Sequence, residues 1–401
     1  MNGTHEALQD AALLAAQESL SREFAEPVRL GENSFADSVR PKGIVLRCPV
    51  LTPLRGIASV VVKSPQEWLL APEDEPRWAR RFNPDLRCFP NPSDRYRQEV
   101  AGLRFVSLGV LRIPAPRLLA VDPVHRCVVM EDLGEQKSVL DPLLGHDADA
   151  AADAVLALVR AMAQLHSGSV GKENLFAECG GGRHGRDAEA APFVEGMQRC
   201  VEFARAVGLP VPRAVGDASR EVRRYFTDSS ACMVFSPGDV GPGNQFLADD
   251  RITLFDFEFS RYRHMAVELA NLTLPFPAAS TSSALSAELA AELMDAYFAD
   301  AAAFGGFRHR ERAAAQGFGA AWWTFASVGA DLAASVKEDY QWGFAGCRSR
   351  HLHKLRLLAD LSAPEGAVDT LGRFADELHA TVSKLWPDAE DFPVYPAFRS
   401  R

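Results

Sequence analysis

A loop rich in glycine and proline, followed by a short hairpin, carries the most chemically suggestive residues of the chain. The loop covers 237–244, and Leu-Phe-Asp-Phe-Glu follows at 254–258. Asn244 and Asp256 offer the hard oxygen ligands that Mg²⁺ prefers, and substrate phosphates would complete its coordination. Asp239 is then placed to accept a proton from a hydroxyl group. The alternative interpretation is an ordinary surface hairpin, because glycine, proline, asparagine and aspartate all favour turns.

The order of these residues resembles the catalytic segment of the aminoglycoside phosphotransferase and choline kinase group of kinase-like enzymes. That segment has a His-Gly-Asp sequence, four residues and an asparagine, then a hydrophobic strand and Asp-Phe-Glu or Asp-Trp-Glu. The resemblance implies that Asp239 is the catalytic aspartate and that Asn244 and Asp256 hold Mg²⁺. Pro237 stands where the family usually has histidine. Because that histidine generally supports the loop, the change bears on loop geometry more than on chemistry.

Two residues nearer the N-terminus extend the resemblance. Lys63 ends an apolar run at Val60–Lys63 and, as in kinases, would reach the α- and β-phosphates of a nucleotide. Glu99, on the helix that follows, would pair with Lys63 and hold it in place. Taken alone, Lys63 would be a surface lysine at a strand end and Glu99 an exposed helix residue.

Two further segments are candidates for nucleotide contact. Backbone amides of Gly31–Phe35, a segment that includes Ser34, would cradle phosphates, although the segment contains one glycine. The run Cys127–Gly134 resembles the strand and hinge between kinase lobes, where backbone groups, here of Glu131 and Leu133, usually hold adenine. The alternative for this run is one more core strand. The expected cofactors are ATP or GTP together with Mg²⁺.

The elements that must position these groups divide the chain into two parts. Short β-branched runs bounded by proline and glycine predict strands in the first part, at Pro27–Leu30, Ile44–Arg47, Ile57–Lys63, Arg117–Val121 and Cys127–Met130. A helix is predicted at Asp94–Leu108, with Ser93 as its cap. Helical periodicity dominates the second part, at Asp147–His166, Ser283–Phe304, His309–Val336 and Gly366–Leu385. A strand pair at Gln245–Leu247 and Ile252–Phe257 interrupts it, and Cys179–Asp187 is predicted to be a loop.

We therefore expect an α+β, two-lobed protein-kinase-like fold, with a small antiparallel β-sheet N-lobe of about five strands and a larger, mainly helical C-lobe. The predicted units are an N-terminal helical extension at 1–25, a nucleotide-binding N-lobe at 26–132 and a C-lobe at 133–401. In the group that the motifs resemble, variable helices hold the acceptor, which here correspond to about 185–230 and 280–355.

Acidic residues near those helices, chiefly Glu258 and Glu268, would receive a cationic acceptor such as an aminosugar or choline. The alternative for them, as for Asp331, is an ordinary solvated helix face. His166 and His264 are interpreted as structural rather than acid–base residues. The aromatic residues are interpreted as core rather than acceptor pocket: Trp322, Trp323, Phe325, Tyr340, Trp342 and Phe344.

Composition excludes several classes of protein. The 401 residues carry 43 basic and 53 acidic side chains, a net charge of −10, which disfavours a nucleic-acid partner. The seven scattered cysteines form no Cys-x-x-Cys pair, which predicts neither a disulfide framework nor a zinc site. The N-terminus has no basic region before an apolar core, and no apolar run reaches about 18 residues. The expected location is the cytoplasm, without a membrane partner.

The expected activity is Mg²⁺-dependent transfer of the γ-phosphate of ATP to a hydroxyl of a small metabolite or antibiotic. One alternative is a kinase for Ser or Thr in a peptide natural-product pathway, working beside a partner lyase. A second alternative is a catalytically inactive scaffold, which Pro237 and the single glycine at 31–35 motivate. The retention of Lys63, Asp239, Asn244 and Asp256 in order argues against the scaffold, because losing a metal ligand would remove charge stabilisation.

Overall fold

A computed structural model describes residues 2–35, 39–40, 43–66, 91–182, 185–228, 232–248, 251–361 and 366–399. The helices are α1 (Asn2–Phe24), α2 (Pro92–Ser107), α3 (Leu140–Leu144), α4 (Ala148–Ser169), α5 (Glu173–Glu178), α6 (Arg186–Ala206), α7 (Arg213–Asp228), α8 (Met265–Thr273), α9 (Ala287–Asp300), α10 (His309–Lys337), α11 (Cys347–Asp360) and α12 (Ala367–Leu385). The strands are β1 (Val39–Arg40), β2 (Gly43–Pro49), β3 (Ser59–Pro65), β4 (Leu118–Asp122), β5 (Cys127–Glu131), β6 (Met233–Ser236), β7 (Gln245–Ala248), β8 (Arg251–Leu254), β9 (Arg261–His264), β10 (Gln341–Trp342) and β11 (Ala345–Gly346).

The N-lobe is one antiparallel sheet of five strands in the order β1-β2-β3-β5-β4. Strand β3 divides its side chains between the two faces because successive residues of a strand point in opposite directions. Val60 and Val62 are fully buried in a core that α1 covers through Ala16 and Leu20. The alternation places Lys63 on the opposite face, toward α2 and the C-lobe.

The predicted first strand at Pro27–Leu30 is wrong. Leu30 makes a single antiparallel bridge with Val50, and β1 is instead the first strand of the sheet. Side chains of α1 take up the backbone donors of this segment: the Val28 amide donates to Ser21 Oγ at 2.9 Å, and the Leu30 amide donates to Gln17 Oε1 at 2.9 Å. A backbone whose donors are bonded to side chains cannot also pair as a strand.

Two helix starts also differ from the sequence prediction. Asn91, not Ser93, caps α2, because its side chain accepts the Asp94 amide at 2.9 Å and Pro92 then occupies the first helical turn. The predicted loop at Cys179–Asp187 ends sooner than expected, since α6 begins at Arg186; residues 183–184 of that stretch lie outside the described residues.

The C-lobe is a helical layer in which α10 packs against α6, α8, α11 and α12. The antiparallel pairs β6–β9 and β7–β8 lie beside α4 and carry the loops of interest. Trp322 and Phe325 are buried in the core as predicted, whereas the Phe344 side chain remains 40% exposed. The two-lobed α+β architecture predicted from the sequence is therefore present. None of the helices in the described ranges is both long and apolar enough to cross a lipid bilayer.

Candidate active site

Lys63 is the point at which three separate segments of the chain meet. Its ammonium lies 2.9 Å from Glu99 Oε2 on α2, contacts Asp256 Oδ1 after β8, and lies 3.6 Å from a Glu258 oxygen. Burial disfavours the charge on Lys63, but these carboxylates outweigh it and raise the pKa of Lys63 well above its ordinary value. The lysine therefore carries a fixed positive charge at the junction of the two lobes.

Helix α2 brings Glu99 to Lys63 by packing directly on the Asp-Phe-Glu segment. Gly102 permits this approach: a Cβ there would lie 2.6 Å from Phe257 Cβ and 2.8 Å from Ser260 Oγ. The Ser260 hydroxyl also donates to the Gln98 carbonyl at 2.9 Å. Burial raises the pKa of Glu99 to about 7, and the Lys63 charge opposes that rise. The helix thus fixes Glu99 beside the second lobe.

Replacement of Gly102 by alanine tests this helix contact. The added methyl group would overlap Phe257, and overpacking of this kind costs about 1–3 kcal/mol of unfolding free energy. Because the clash also displaces Glu99, we expect a higher nucleotide dissociation constant, measured by calorimetry. Gly216→Ala on α7 is the matched control: its side faces open space, so it should gain about 0.5–1 kcal/mol in chemical denaturation. Equal behaviour of the two variants would contradict the proposed contact.

Asp256 follows β8 in a left-handed backbone conformation, with a φ of 66°. Non-glycine residues rarely adopt this region, and aspartate tolerates it better than most because its short side chain bonds locally. The turn takes the carboxylate out of the strand direction and toward Lys63, while Phe257 behind it is fully buried against Phe235. Backbone strain of this kind is concentrated at functional sites.

The loop that carries Asp239 is held by hydrogen bonds at both ends. The Gly238 amide donates to Ser236 Oγ at 2.9 Å, and Gly238 has a φ of 92°; a Cβ there would lie 2.2 Å from the Phe259 carbonyl oxygen. The Gly241 amide donates to Asp239 Oδ1 at 3.2 Å, and Asn244 Nδ2 donates to the Asp239 carbonyl at 3.3 Å. Ser236, which sequence analysis missed, supports the loop beside the proline that replaces the usual histidine.

The charges around Asp239 favour a divalent cation. Burial raises the pKa of Asp239 to about 6, and the nearby Asp256 carboxylate adds to the rise. Among the described residues, the acidic side chains of this site are Glu99, Asp239, Asp256 and Glu258, and its cations are Lys63 and Arg95, the latter 3.5 Å from Glu258. Four carboxylates against two cations leave an excess of negative oxygen donors, to which Asn244 adds a neutral one. This donor set fits a hard ion such as Mg²⁺.

The predicted hinge is fastened by a residue that sequence analysis did not single out. Asp132 Oδ2 accepts from Arg47 Nε at 2.7 Å and from Ser59 Oγ at 2.6 Å, and its Oδ1 accepts from the Gly134 amide at 2.9 Å. Glu131 is the last residue of β5, and the carbonyl of Leu133 accepts from Gln136 Nε2 at 2.7 Å. The hinge backbone is therefore fixed in place, and its contact with adenine stays a prediction.

The predicted phosphate loop is not supported at Ser34. The Ser34 amide and hydroxyl both donate to the Arg47 carbonyl, at 2.9 and 3.2 Å. The Gly31 amide donates to the Pro49 carbonyl, and the Phe35 amide donates to Asn33 Oδ1. These donors bind the segment to the edge of β2, so they are not available to cradle phosphates.

The predicted acidic wall also needs correction. Glu268 is buried, and one of its oxygens lies 3.1 Å from Arg263, so it pairs inside the C-lobe rather than facing an acceptor. Glu258 is mostly buried between Lys63 and Arg95 and belongs to the charged cluster. Both carboxylates are therefore occupied by basic side chains.

Two histidines near the site are structural in their contacts, as sequence analysis interpreted them. His166 Nδ1 lies 2.8 Å from Tyr297 Oη, and burial lowers the pKa of His166 to about 3. His264 Nδ1 accepts from the Ala266 amide at 3.1 Å and caps α8, and burial lowers its pKa to about 3. Neutral, buried imidazoles support the loops without exchanging protons at neutral pH.

Solved structures similar to this chain carry the names of the group that its motifs resemble. A macrolide 2′-phosphotransferase from Brachybacterium faecium has 13% identity and a TM-score of 0.45, with 88% of this chain and 99% of that chain covered. A choline/ethanolamine kinase family protein from Mesorhizobium loti has 17% identity and a TM-score of 0.47, with 94% and 99% covered. Choline kinase from Cryptosporidium parvum has 9% identity and a TM-score of 0.40, with 90% of each chain covered. No family model and no curated protein matches the sequence.

Proposed function

We propose that the protein is a phosphotransferase that moves the γ-phosphoryl group of ATP or GTP to an alcohol hydroxyl. The observation that carries this proposal is the contact of the Lys63 ammonium with Glu99 and Asp256, with Asp239 close enough to feel the Asp256 charge. These groups come from a strand, a helix, a hairpin and a loop that are far apart in the sequence. Such convergence of charged side chains fits the positioning that phosphoryl transfer requires.

Each side chain then has a distinct role. Lys63 would bind the α- and β-phosphates, and Glu99 would orient Lys63. Asn244 and Asp256 would hold Mg²⁺, which when bound supplies charge neutralisation for the phosphates. Asp239 would position the acceptor hydroxyl and receive its proton. The hydroxyl oxygen forms a bond to the γ-phosphorus while the bond from that phosphorus to the β-phosphate oxygen breaks, and the nucleoside diphosphate leaves.

The acceptor that we propose is a small hydroxylated molecule, such as an aminosugar, a macrolide or an amino alcohol. The loop of Asp239 packs at Gly241 against Ala279, where a Cβ on the glycine would lie 2.9 Å from the alanine Cβ. Arg350 fixes that neighbouring segment, because it donates to the carbonyls of Ala279 at 3.0 Å and Ser280 at 2.7 Å. The C-lobe side of the catalytic loop is therefore rigid, which suits a preformed acceptor site.

The test is an acceptor panel with two readouts. Formation of the nucleoside diphosphate would be followed with aminosugars, macrolides, amino alcohols and Ser/Thr peptides, and the product mass would be checked for one added phosphoryl group. We expect transfer to at least one small alcohol and no transfer without Mg²⁺. Transfer to peptides alone would replace the acceptor class while leaving the chemistry in place. Absence of Mg²⁺-dependent nucleotide binding would contradict the enzymatic function itself.

A further inference from the structure

A second cluster of reactive side chains lies in the C-lobe and shares no residue with the candidate active site. Cys347 is the first residue of α11, His351 lies one turn later on the same helix, and Asp331 comes from α10. Cys347 Sγ lies 2.8 Å from Asp331 Oδ2 and 3.2 Å from His351 Nε2, and that nitrogen lies 3.3 Å from the same Asp331 oxygen. The three residues are 2–4% exposed.

This geometry differs from that of an activated nucleophile. In a Cys–His–acid arrangement one imidazole nitrogen faces the thiol and the other faces the carboxylate. Here the same His351 nitrogen faces both Cys347 and Asp331, and burial denies a substrate access to the sulfur. Three ligand atoms of three different kinds instead point at one common position, all within 4.8 Å of one another.

We propose that Cys347, His351 and Asp331 form a structural zinc site. A tetrahedral Zn²⁺ with bonds of about 2.0–2.3 Å places neighbouring ligand atoms about 3.3–3.6 Å apart. The nitrogen–oxygen separation of 3.3 Å already fits, and the sulfur has to move by less than about 1 Å. Thiolate and imidazole ligands select zinc over the hard Mg²⁺ of the other site. The hydroxyl of Ser335, 3.0 Å from Cys347 Sγ, is the nearest candidate for the fourth position.

The charges of the cluster support a bound cation. Burial lowers the pKa of His351, but the Cys347 sulfur and the Asp331 carboxylate outweigh burial and raise it to about 9. Two groups that can be anionic thus retain a positive partner within a buried site. When zinc binds, it takes the place of the His351 proton and of the Cys347 proton, which leave to solvent.

The sequence prediction that no zinc site exists missed this cluster for a geometric reason. Cys347 and His351 have helical spacing, but the chain has no second Cys or His pair to complete a zinc-finger pattern. Asp331 lies 16 residues before Cys347 on a different helix, and the β10–β11 hairpin folds the two helices together. Only the fold brings the third ligand to the site.

The site would stabilise the segment next to the catalytic loop. Arg350, on α11 between the two zinc ligands, donates to the carbonyls of Ala279, Ser280 and Trp342 at 3.0, 2.7 and 2.8 Å. Ala279 in turn contacts Gly241 beside Asp239. A metal that fixes the start of α11 would therefore fix Arg350 and the wall that it holds.

The test is metal binding by the full chain after removal of bound metal with a chelator. We expect wild-type protein to take up one Zn²⁺ per chain in elemental analysis and its melting temperature to rise by at least about 2 °C. Titration with Co²⁺ should produce the charge-transfer absorption of a cobalt–thiolate bond. Cys347→Ala and His351→Gln should each lose the stoichiometric zinc and the absorption.

Two variants control for burial and for helix position. Cys200→Ala removes a buried thiol of α6, whose pKa burial raises to about 12, and should keep full zinc binding. His353→Gln removes a histidine on α11 whose ring stacks on Phe392 at 4.2 Å, and it should also keep zinc. Wild-type protein without stoichiometric zinc, or without cobalt–thiolate absorption, would overturn the proposal even if Cys347→Ala does not fold. Zinc retained by a folded Cys347→Ala would overturn it as well.

Discussion

Replacement of Asp239 by asparagine is expected to lower kcat by about 10³-fold or more while nucleotide affinity changes by less than about threefold. The carboxamide keeps the size of the side chain, so the hydrogen bond from the Gly241 amide to the Oδ1 atom remains possible. It cannot accept a proton from the acceptor hydroxyl, and it removes a negative charge next to Asp256. The loss should therefore fall on the chemical step rather than on nucleotide binding.

The measurement combines steady-state kinetics on the best acceptor of the panel with calorimetry of nucleotide binding. Asp153→Asn is the matched control, since Asp153 is an exposed residue on α4 and the same chemical change there should leave kcat unaltered. Near-full turnover in Asp239→Asn would show that Asp239 neither positions the hydroxyl nor accepts its proton. A tenfold loss of nucleotide affinity with unchanged kcat would instead place Asp239 in nucleotide binding.

Local patterns were sufficient to predict the elements of the site. The alternation of Val60–Lys63 and the helical spacing around Glu99 depend on neighbours within one element, and the structure contains both elements. The pairing of Lys63 with Glu99 followed from their order along the chain and is present at 2.9 Å. The order of Asp239 and Asp256 likewise predicted a loop and a hairpin that do come together.

Contacts between distant segments explain what the sequence could not predict. Asp132 fastens the hinge through Arg47, 85 residues away, and Gly102 is required only because the segment after Asp256 packs on it. Nothing in the neighbouring sequence of these residues distinguishes them from ordinary turn or helix residues. The prediction at Ser34 was wrong because it assumed free amides, whereas the Ser34 amide is bonded to the Arg47 carbonyl. The use of each backbone donor depends on tertiary pairing.

Replacement of Asp256 by alanine is expected to abolish the dependence of nucleotide binding on Mg²⁺. We expect the wild-type protein to bind ATP at least about tenfold more tightly with Mg²⁺ than with a chelator, a difference of about 1.4 kcal/mol, because its excess carboxylates repel bare phosphates. Without Asp256 the metal loses one of its two proposed protein ligands, and Lys63 loses a partner that it contacts. The ratio of the two dissociation constants should then fall to about 1. Calorimetry at two Mg²⁺ concentrations measures that ratio directly.

Glu99→Gln separates loss of the metal from loss of the lysine's orientation. Glu99 lies 2.9 Å from Lys63 Nζ and is not one of the proposed metal ligands, so its replacement should weaken nucleotide binding by a similar factor with and without Mg²⁺. The ratio of dissociation constants should therefore stay high in Glu99→Gln and fall in Asp256→Ala. If wild-type binding is already independent of Mg²⁺, the roles proposed for Asp239, Asn244 and Asp256 fail together. The chain would then be a nucleotide-binding scaffold with the two-lobed architecture described here, because a donor set that does not bind the metal cannot neutralise charge during transfer.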